Sequence, residues 1–297
     1  MAFKSSLQAA QVRVAYLLVT PATLLLFLLL IGPLLVVFGL SFTDWQFGSD
    51  TLEFIGLRNY AQIFADETFR RSFGNTCIYT LVTVPLTIFM GLGVALLIES
   101  GQSLKKFYRA VFFLPVMTCS VAMAITWEFV LHPRVGLAAH ILPLFGLGGF
   151  ELLHNENTVL ITLCGIGIWQ NMGFNMVLFM AGLSGIPKEL HEAAALDGAE
   201  SGWSRFWLVT WPLLSPVTLF VSIITTIRSF QVFDAVHVLT QGGPNNASEV
   251  LIYTMFKEAF EFFRTGYASA ITVIFLLCVL GFTLIKTYVA EKHVHYN

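Results

Sequence analysis

Charge is scarce in this chain. Its 297 residues include 16 Lys and Arg and 18 Asp and Glu, or 11%, where an ordinary soluble domain carries about 25%. The formal net charge is -2, with no block of one sign that a nucleic acid would need, so polyelectrolyte partners are excluded. Cysteine is equally sparse. Cys77, Cys119, Cys164 and Cys278 all fall in apolar segments and none forms a C-x-x-C pair, which excludes a zinc ribbon or a disulfide framework and leaves them as small buried hydrophobes. The seven histidines lie outside the longest apolar runs or at their edges and form no H-E-x-x-H, so a zinc hydrolase finds no support. No G-x-x-x-x-G-K-[ST] occurs anywhere; any ATP-derived energy must reach this chain from another polypeptide.

Apolar residues fill the space that charge leaves. They make up 56% of the chain and the mean hydropathy is +0.76, the signature of an integral membrane protein. A span needs about 20 largely apolar residues. Six stretches qualify, Val14–Phe42, Phe73–Ile98, Val111–Leu131, Val159–Leu183, Leu208–Phe230 and Tyr267–Val289, giving an all-α polytopic protein with a single transmembrane domain over residues 1–297. Lys4 and Arg13 before the first stretch mimic a signal peptide, but its apolar run is too long and no A-x-A-like site follows.

Six spans put both termini on one side of the membrane. If that side is cytoplasmic it holds Lys4, Arg13, Lys105, Lys106, Arg109, Lys188, Arg205, Lys286 and Lys292, against Arg58, Arg70, Arg71, Arg134, Arg228, Lys257 and Arg264 opposite. The bias is small overall and clearest in the tight loop Ser100–Arg109, and it predicts cytoplasmic termini. On the outer side, residues 54–73 and 248–263 mix apolar and charged residues at near-helical spacing, and Thr240–Asn246, TQGGPNN, reads as a turn. Asn246-Ala247-Ser248 fits the glycosylation pattern and is read as turn chemistry.

Between the fourth and fifth spans lies IPKELHEAAALDGAESGWSRF, Ile186–Phe206. Pro187 suits the first turn of a helix and Gly198 the position just past its end. That frames about three helical turns, rich in alanine, in which Glu189, Glu192, Asp197 and Glu200 outnumber Lys188 and Arg205. A second helix beginning near Ser201 runs into the fifth span. The element is an acidic elbow joined rigidly to membrane helices; the plainer reading is a solvated loop with ordinary helix punctuation.

Glu192-Ala193-Ala194, then Asp197-Gly198-Ala199, Phe206 and Pro212 resemble the EAA motif of permease subunits of binding-protein-dependent ABC importers. The usual ending, I-x-L-P, stands here as Val209-Thr210-Trp211-Pro212, a departure that touches how the second helix packs. FIGLRNYAQIF, NTCIYTLVTVPL, FYRAVFFLPV and LTQGGPNNASEVLIYTMFKEAF with GYASA are similar to segments of the carbohydrate-uptake branch, in its MalF-like or glycerol-3-phosphate-permease-like subunit. The resemblance implies a type I importer permease fold in a bacterial inner membrane and a coupling role for Glu192, Ala193, Ala194, Asp197 and Gly198 against a cleft on an ATPase. It also implies the partners: a second, non-identical permease, two ATPase subunits carrying ATP and magnesium, and an extracytoplasmic solute-binding protein. This chain itself is then a transport subunit, without catalytic residues, cofactor or metal.

Polar groups inside spans point to a pathway. Ser215, Thr218, Ser222, Thr225, Thr226 and Ser229 recur at steps of three or four in the fifth span, and Gln170, Asn171 and Asn175 stand in the fourth. These residues, with Asp234 beyond the fifth span, would line a hydrated path for a polyhydroxylated solute. The competing reading is that the hydroxyls bond their own backbone and the asparagines clamp helices together. Gly165, Gly167 and Gly173, with Pro212 and Pro216, are expected to break helical regularity where a cavity faces them. Phe230 and Phe233 offer aromatic faces, Glu128 and Arg228 read as snorkelling ends, and His293 and His295 as a polar tail. With no excess of basic residues in the fourth and fifth spans, a neutral sugar is favoured over glycerol phosphate or a polyol. An ion-coupled secondary transporter is the distant alternative, since the mid-span segments contain no carboxylate.

Overall fold

The computed structural model describes residues 2–101, 103–146, 151–199 and 201–291; Glu200, Lys292, His293 and His295 lie outside them. The elements run as α1 (Ala2–Leu26), a π-helical turn Phe27–Ile31, α2 (Gly32–Leu40), α3 (Arg58–Ala65), α4 (Glu67–Ser100), α5 (Lys105–Met117) and α6 (Ser120–Val130). Then follow α7 (Leu137–Ile141), α8 (Val159–Ser184), α9 (Lys188–Leu196), α10 (Gly202–Arg205), a π turn Phe206–Thr210, α11 (Trp211–Phe230), α12 (Asp234–Leu239), α13 (Leu251–Phe256) and α14 (Thr265–Glu291). Among the described residues five helical segments are long and apolar enough to cross a membrane, Gln11–Leu40, Glu67–Ser100, Val159–Ser184, Gly202–Leu239 and Thr265–Tyr288, and six if α5 and α6 count as one span.

Those two helices give the third apolar stretch, Val111–Leu131, a shape that its hydropathy does not carry. α5 and α6 meet at 98°. Thr118 and Cys119 are both extended, and the Thr118 hydroxyl folds back to donate to the Pro115 carbonyl at 2.7 Å.

The chain divides into two compact units, residues 1–65 with 255–274 and residues 66–254 with 275–297. In the first, Asn59 is buried and its amide donates to the carbonyls of Ser41 at 2.9 Å and Thr43 at 2.8 Å. Thr43 pairs with Phe54 in an isolated antiparallel bridge, and Gly266 donates to the Trp45 carbonyl at 2.8 Å. The span Gln11–Leu40 has none of its most apolar window buried within the chain.

In the second unit α4 and α8 form the axis. Asp66 starts α4 by accepting from the backbone N–H of Thr68 and Phe69 at 2.8 and 3.4 Å. Leu92, Ala95 and Ile98 of α4 interlock with Met176, Phe179 and Met180 of α8 and with Leu214 and Val221 of α11. The helices cross closely because small residues sit at the crossings. A methyl at Gly91 would lie 2.7 Å from the Asn175 Cβ, and one at Gly173 would strike the Phe112 carbonyl of α5. This overturns the expectation that the glycines of the fourth span disrupt it: α8 is unbroken over 26 residues, and Gly173 serves backbone approach.

Irregularity is instead found before α11. Pro212 and Pro216 have no N–H for the carbonyls one turn earlier. A π turn, Phe206–Thr210, absorbs the first, and the Ser215 hydroxyl donates to the Pro212 carbonyl at 2.7 Å, satisfying the second. Thr240–Asn246 is a turn, as read, with positive φ at Gln241, Gly242, Asn245 and Asn246. Ser248 is buried and bonds the Gly243 carbonyl at 2.6 Å.

Candidate transport cavity and coupling elbow

The elbow begins at Pro187, whose ψ of 136° places it outside α9 as its N-cap. At the other end Gly198 takes φ +96°. Its N–H donates to the Ala195 carbonyl at 3.3 Å, and the N–H of Ala199 reaches the Ala194 carbonyl at 2.9 Å. These are the two bonds of a Schellman motif, which needs a residue with positive φ just past the helix. Ala199 is buried beneath the motif. The spacing from Ala194 to Gly198 is thus a backbone requirement: the glycine stops one helix, and Ser201 starts the next by accepting from the Ser204 N–H at 3.0 Å.

Glu192, Ala193, Asp197 and Gly198 are exposed and Ala194 is half-buried. Among the described residues Glu192 makes no hydrogen bond or ion pair, and Leu196 at the helix end is 90% exposed. Trp203, Phe206, Trp207 and Trp211 form a ring cluster with centroids 5.3–6.1 Å apart, so the tryptophan in the departing I-x-L-P ending helps to weld α10 to α11.

Two adjoining cavities lie among α4, α8 and α11. The larger, about 230 Å³, is lined by Tyr79, Ser120, Gln170, Asn171, Arg228 and Asp234 with neighbouring residues. The smaller, about 20 Å³, shares Tyr79, Asn171 and Arg228 and adds Thr83, Asn175 and Ser229. It is the size of one water. Asn175 is 1% exposed; its Oδ1 accepts from the Thr225 hydroxyl at 3.1 Å, clamping α8 to α11, while its Nδ2 has no protein partner beside the small cavity. Asn171 donates back to the Gly167 carbonyl at 2.9 Å. Thr83 donates to the Tyr79 carbonyl at 2.7 Å, so in the 3.1 Å contact between their hydroxyls Ser229 is the donor to Thr83.

Of the residues singled out from sequence, Gln170, Asn171, Asn175, Ser229 and Asp234 are therefore brought to these cavities. Ser222 and Thr226 are not. They face Lys286 of α14, whose ammonium donates to the Ser222 hydroxyl at 3.1 Å and to the Thr226 hydroxyl, at a separate, mainly apolar cavity of about 380 Å³. Glu128 is exposed on α6. Sequence reasoning passed over Tyr79, Thr83 and Thr87, although Thr76, Thr80, Thr83 and Thr87 recur at the same steps of four and three that drew attention to α11, and all four are buried. It also read Arg228 as a snorkelling end, whereas the guanidinium lies 3.9 Å over the Phe174 ring of α8. No group of three or more His, Cys, Asp or Glu among the described residues is placed to hold a metal.

The family described as the inner membrane component of binding-protein-dependent transport systems matches residues 63–293. This chain belongs to that family. It is a membrane-spanning, non-catalytic transport subunit that works with a solute-binding protein. It is 31% identical over 288 residues to the sn-glycerol-3-phosphate transport system permease protein UgpA of Agrobacterium fabrum (strain C58 / ATCC 33970), covering 95% of this chain and 96% of the relative. It is 33% identical over 277 residues to the probable ABC transporter permease protein YurN of Bacillus subtilis (strain 168), covering 92% and 94%. In structure it is similar to a chain of a bacterial ABC transporter involved in the import of the acidic polysaccharide alginate, with a TM-score of 0.83, 20% identity and coverage of 99% of this chain and 100% of the other. The fold of an ABC importer permease, all-α and polytopic, follows from the last likeness.

Proposed function

We propose that this permease carries a sugar or related polyhydroxylated solute across a bacterial inner membrane into the cytoplasm by alternating access. The observation that carries the reading is the pair of polar cavities among α4, α8 and α11, where hydroxyls, amides, Arg228 and Asp234 converge inside a membrane-spanning bundle. Such groups are costly in lipid and are retained where they meet one another, water or a solute. Gln170, Asn171, Asn175, Ser229 and Asp234 serve that path; Ser222 and Thr226, which face Lys286 at the separate apolar cavity, are left out of it. The relatives' names keep glycerol phosphate in view beside sugars.

The elbow, residues 186–206, is the input. Glu192, Ala193, Ala194, Asp197 and Gly198 present the surface that an ATPase subunit grips, and ATP with magnesium is held on that partner. The whole chain, residues 1–297, acts as one permease domain beside a second, non-identical permease and a pair of ATPase subunits, with both termini in the cytoplasm, lipid around the spans and no nucleic acid involved. Closure of the ATPase pair moves the elbow; the ring cluster passes the motion to α11, which also lines the cavity. For this to do work, the ATPases must bind the two permease states unequally.

The test is ATP hydrolysis by the full complex in proteoliposomes with its solute-loaded binding protein. Glu192→Lys and Gly198→Asp are expected to abolish stimulation while the subunits still assemble. Stimulation equal to wild type in both variants would reduce the elbow to a loop.

A further inference from the structure

Lys286 stands three residues from the end of the apolar stretch Tyr267–Val289, where a lysine ordinarily carries its ammonium outward to the headgroups. Here the side chain runs into the bundle. Its ammonium donates to the Ser222 hydroxyl at 3.1 Å and to the hydroxyl of Thr226, a residue only 1% exposed. The Thr226 proton is already given to the Ser222 carbonyl at 2.7 Å, so that hydroxyl meets the ammonium as an acceptor. These acceptors are neutral. No carboxylate among the described residues lies within ion-pair distance of Lys286, and a charge at membrane depth is retained where a partner answers it.

The ammonium enters the cavity of about 380 Å³ whose walls repeat at helical spacing. Leu81, Val84, Ile88 and Leu92 form the α4 wall at steps of three and four, and Thr218, Ser222 and Thr226 the α11 wall at steps of four. Val84 and Leu92 are buried while Leu81 and Phe89 are exposed, so the cavity is a groove opening on the outside of the bundle. The eleven residues from Leu81 to Leu92 make about 16 Å, or three helical turns. An apolar ridge beside small hydroxyl residues is a surface into which a neighbouring membrane helix packs closely.

We infer that this groove receives a membrane-spanning helix of the second permease, and that a carboxylate on that helix pairs with Lys286. The assignment rests on the importer reading above. A phospholipid would fill the apolar wall, but its charge stays at the headgroups. Ser222 lies fourteen residues from one end of Leu208–Phe230 and eight from the other, at least about 12 Å of helix away. A second copy of this chain cannot supply the counter-charge either: the only acidic residue in its six apolar stretches is Glu128, exposed near the end of α6. A soluble partner reaches the ends of the spans and not a groove walled by their middle turns. The pair also selects, since a permease without the carboxylate leaves Lys286 unanswered.

The experiment is purification of the full complex through a tag on this chain, reading the second permease recovered per chain, with the unfolding midpoint of the isolated chain measured alongside. Lys286→Glu sets like charges against each other and should lower recovery about tenfold or more. Lys286→Met, which strands the partner's carboxylate, should lower it less, and Lys286→Arg should keep it near wild type. Neither of these two should lower the midpoint of the isolated chain, which guards against a folding artefact. Replacing the acidic residues in the second permease's spans with lysine, one at a time, should restore recovery with Lys286→Glu at one position. Wild-type recovery with Lys286→Glu, or the absence of any restoring position, overturns the assignment. So does recovery with Lys286→Met that matches wild type while bound acidic phospholipid is lost, because the occupant is then a lipid. Hydrolysis that Glu192→Lys and Gly198→Asp still uncouple would leave the importer reading standing in those events.

Discussion

The elbow and the cavity are held in shape by different means. The elbow depends on backbone: two Schellman bonds at Gly198, a proline at its start and a serine cap restarting the chain. On α9 the side chains of Glu192 and Leu196 are exposed and left uncommitted. The cavity is the reverse. Its helices are regular around it and its side chains are cross-bonded, Thr225 to Asn175 and Ser229 to Thr83. A surface that must receive another protein needs a fixed backbone and free side chains. A pocket that must accept a solute while surviving in lipid needs its helices cross-bonded, with only a few donors such as the Asn175 Nδ2 left for water or solute.

The sharpest way to break this contrast is at Gly198. A Cβ there meets nothing within 4 Å, so the cost of substitution is all in the φ of +96°, which a β-branched residue avoids and asparagine tolerates better. Gly198→Val should abolish stimulated hydrolysis, and Gly198→Asn, which unlike Gly198→Asp adds no further negative charge to an already acidic surface, should keep a substantial fraction, with solute selectivity the same in both. Equal activity in the two would show that side-chain bulk, not backbone, sets the elbow.

Next in size is Asn175→Leu. It removes the acceptor for Thr225 in a fully buried contact and places a branched side chain beside Gly91, where space is short. Stranding the hydroxyl and crowding the crossing should each cost about 1–3 kcal/mol, read as a lowered unfolding midpoint in detergent while the elbow's coupling ratio is kept. An unchanged midpoint would mean that the asparagine contributes to the pathway and not to the clamp.

The elbow was legible because its logic is local: proline, alanine run and glycine at fixed offsets spell a helix and its stop. The spans were legible as lengths but not as shapes. Nothing in the apolar run from Val111 to Leu131 signals a 98° bend at Thr118 and Cys119, since hydropathy carries no angle. The pathway was half legible for the same reason. Successive positions on a helix turn by about 100°, so hydroxyls at steps of three and four draw a band wide enough to have two edges. Thr225 and Ser229 fall on the edge that meets α4 and α8; Ser222 and Thr226 fall on the one that meets Lys286. Which neighbour each edge would meet is a tertiary fact.

That division makes the smallest prediction the most discriminating. Lys286 is half-buried, among the described residues its ammonium bonds only to hydroxyls and a carbonyl of α11, and Leu81, Val84, Ile88, Phe89 and Phe282 line the cavity it enters. Hydroxyls satisfy an ammonium's donors without cancelling its charge, so burial works against it. Lys286→Met, close in length and without the charge, should therefore leave the unfolding midpoint of the isolated chain unchanged or raise it slightly, and should leave the rate of solute uptake by the assembled complex where it was. A changed uptake at an unchanged midpoint would move Ser222 and Thr226 back into the solute path and merge the two edges of the band. Stability lost only in the assembled complex would instead mean that a carboxylate from a neighbouring subunit meets Lys286, and that this edge of α11 belongs to an interface.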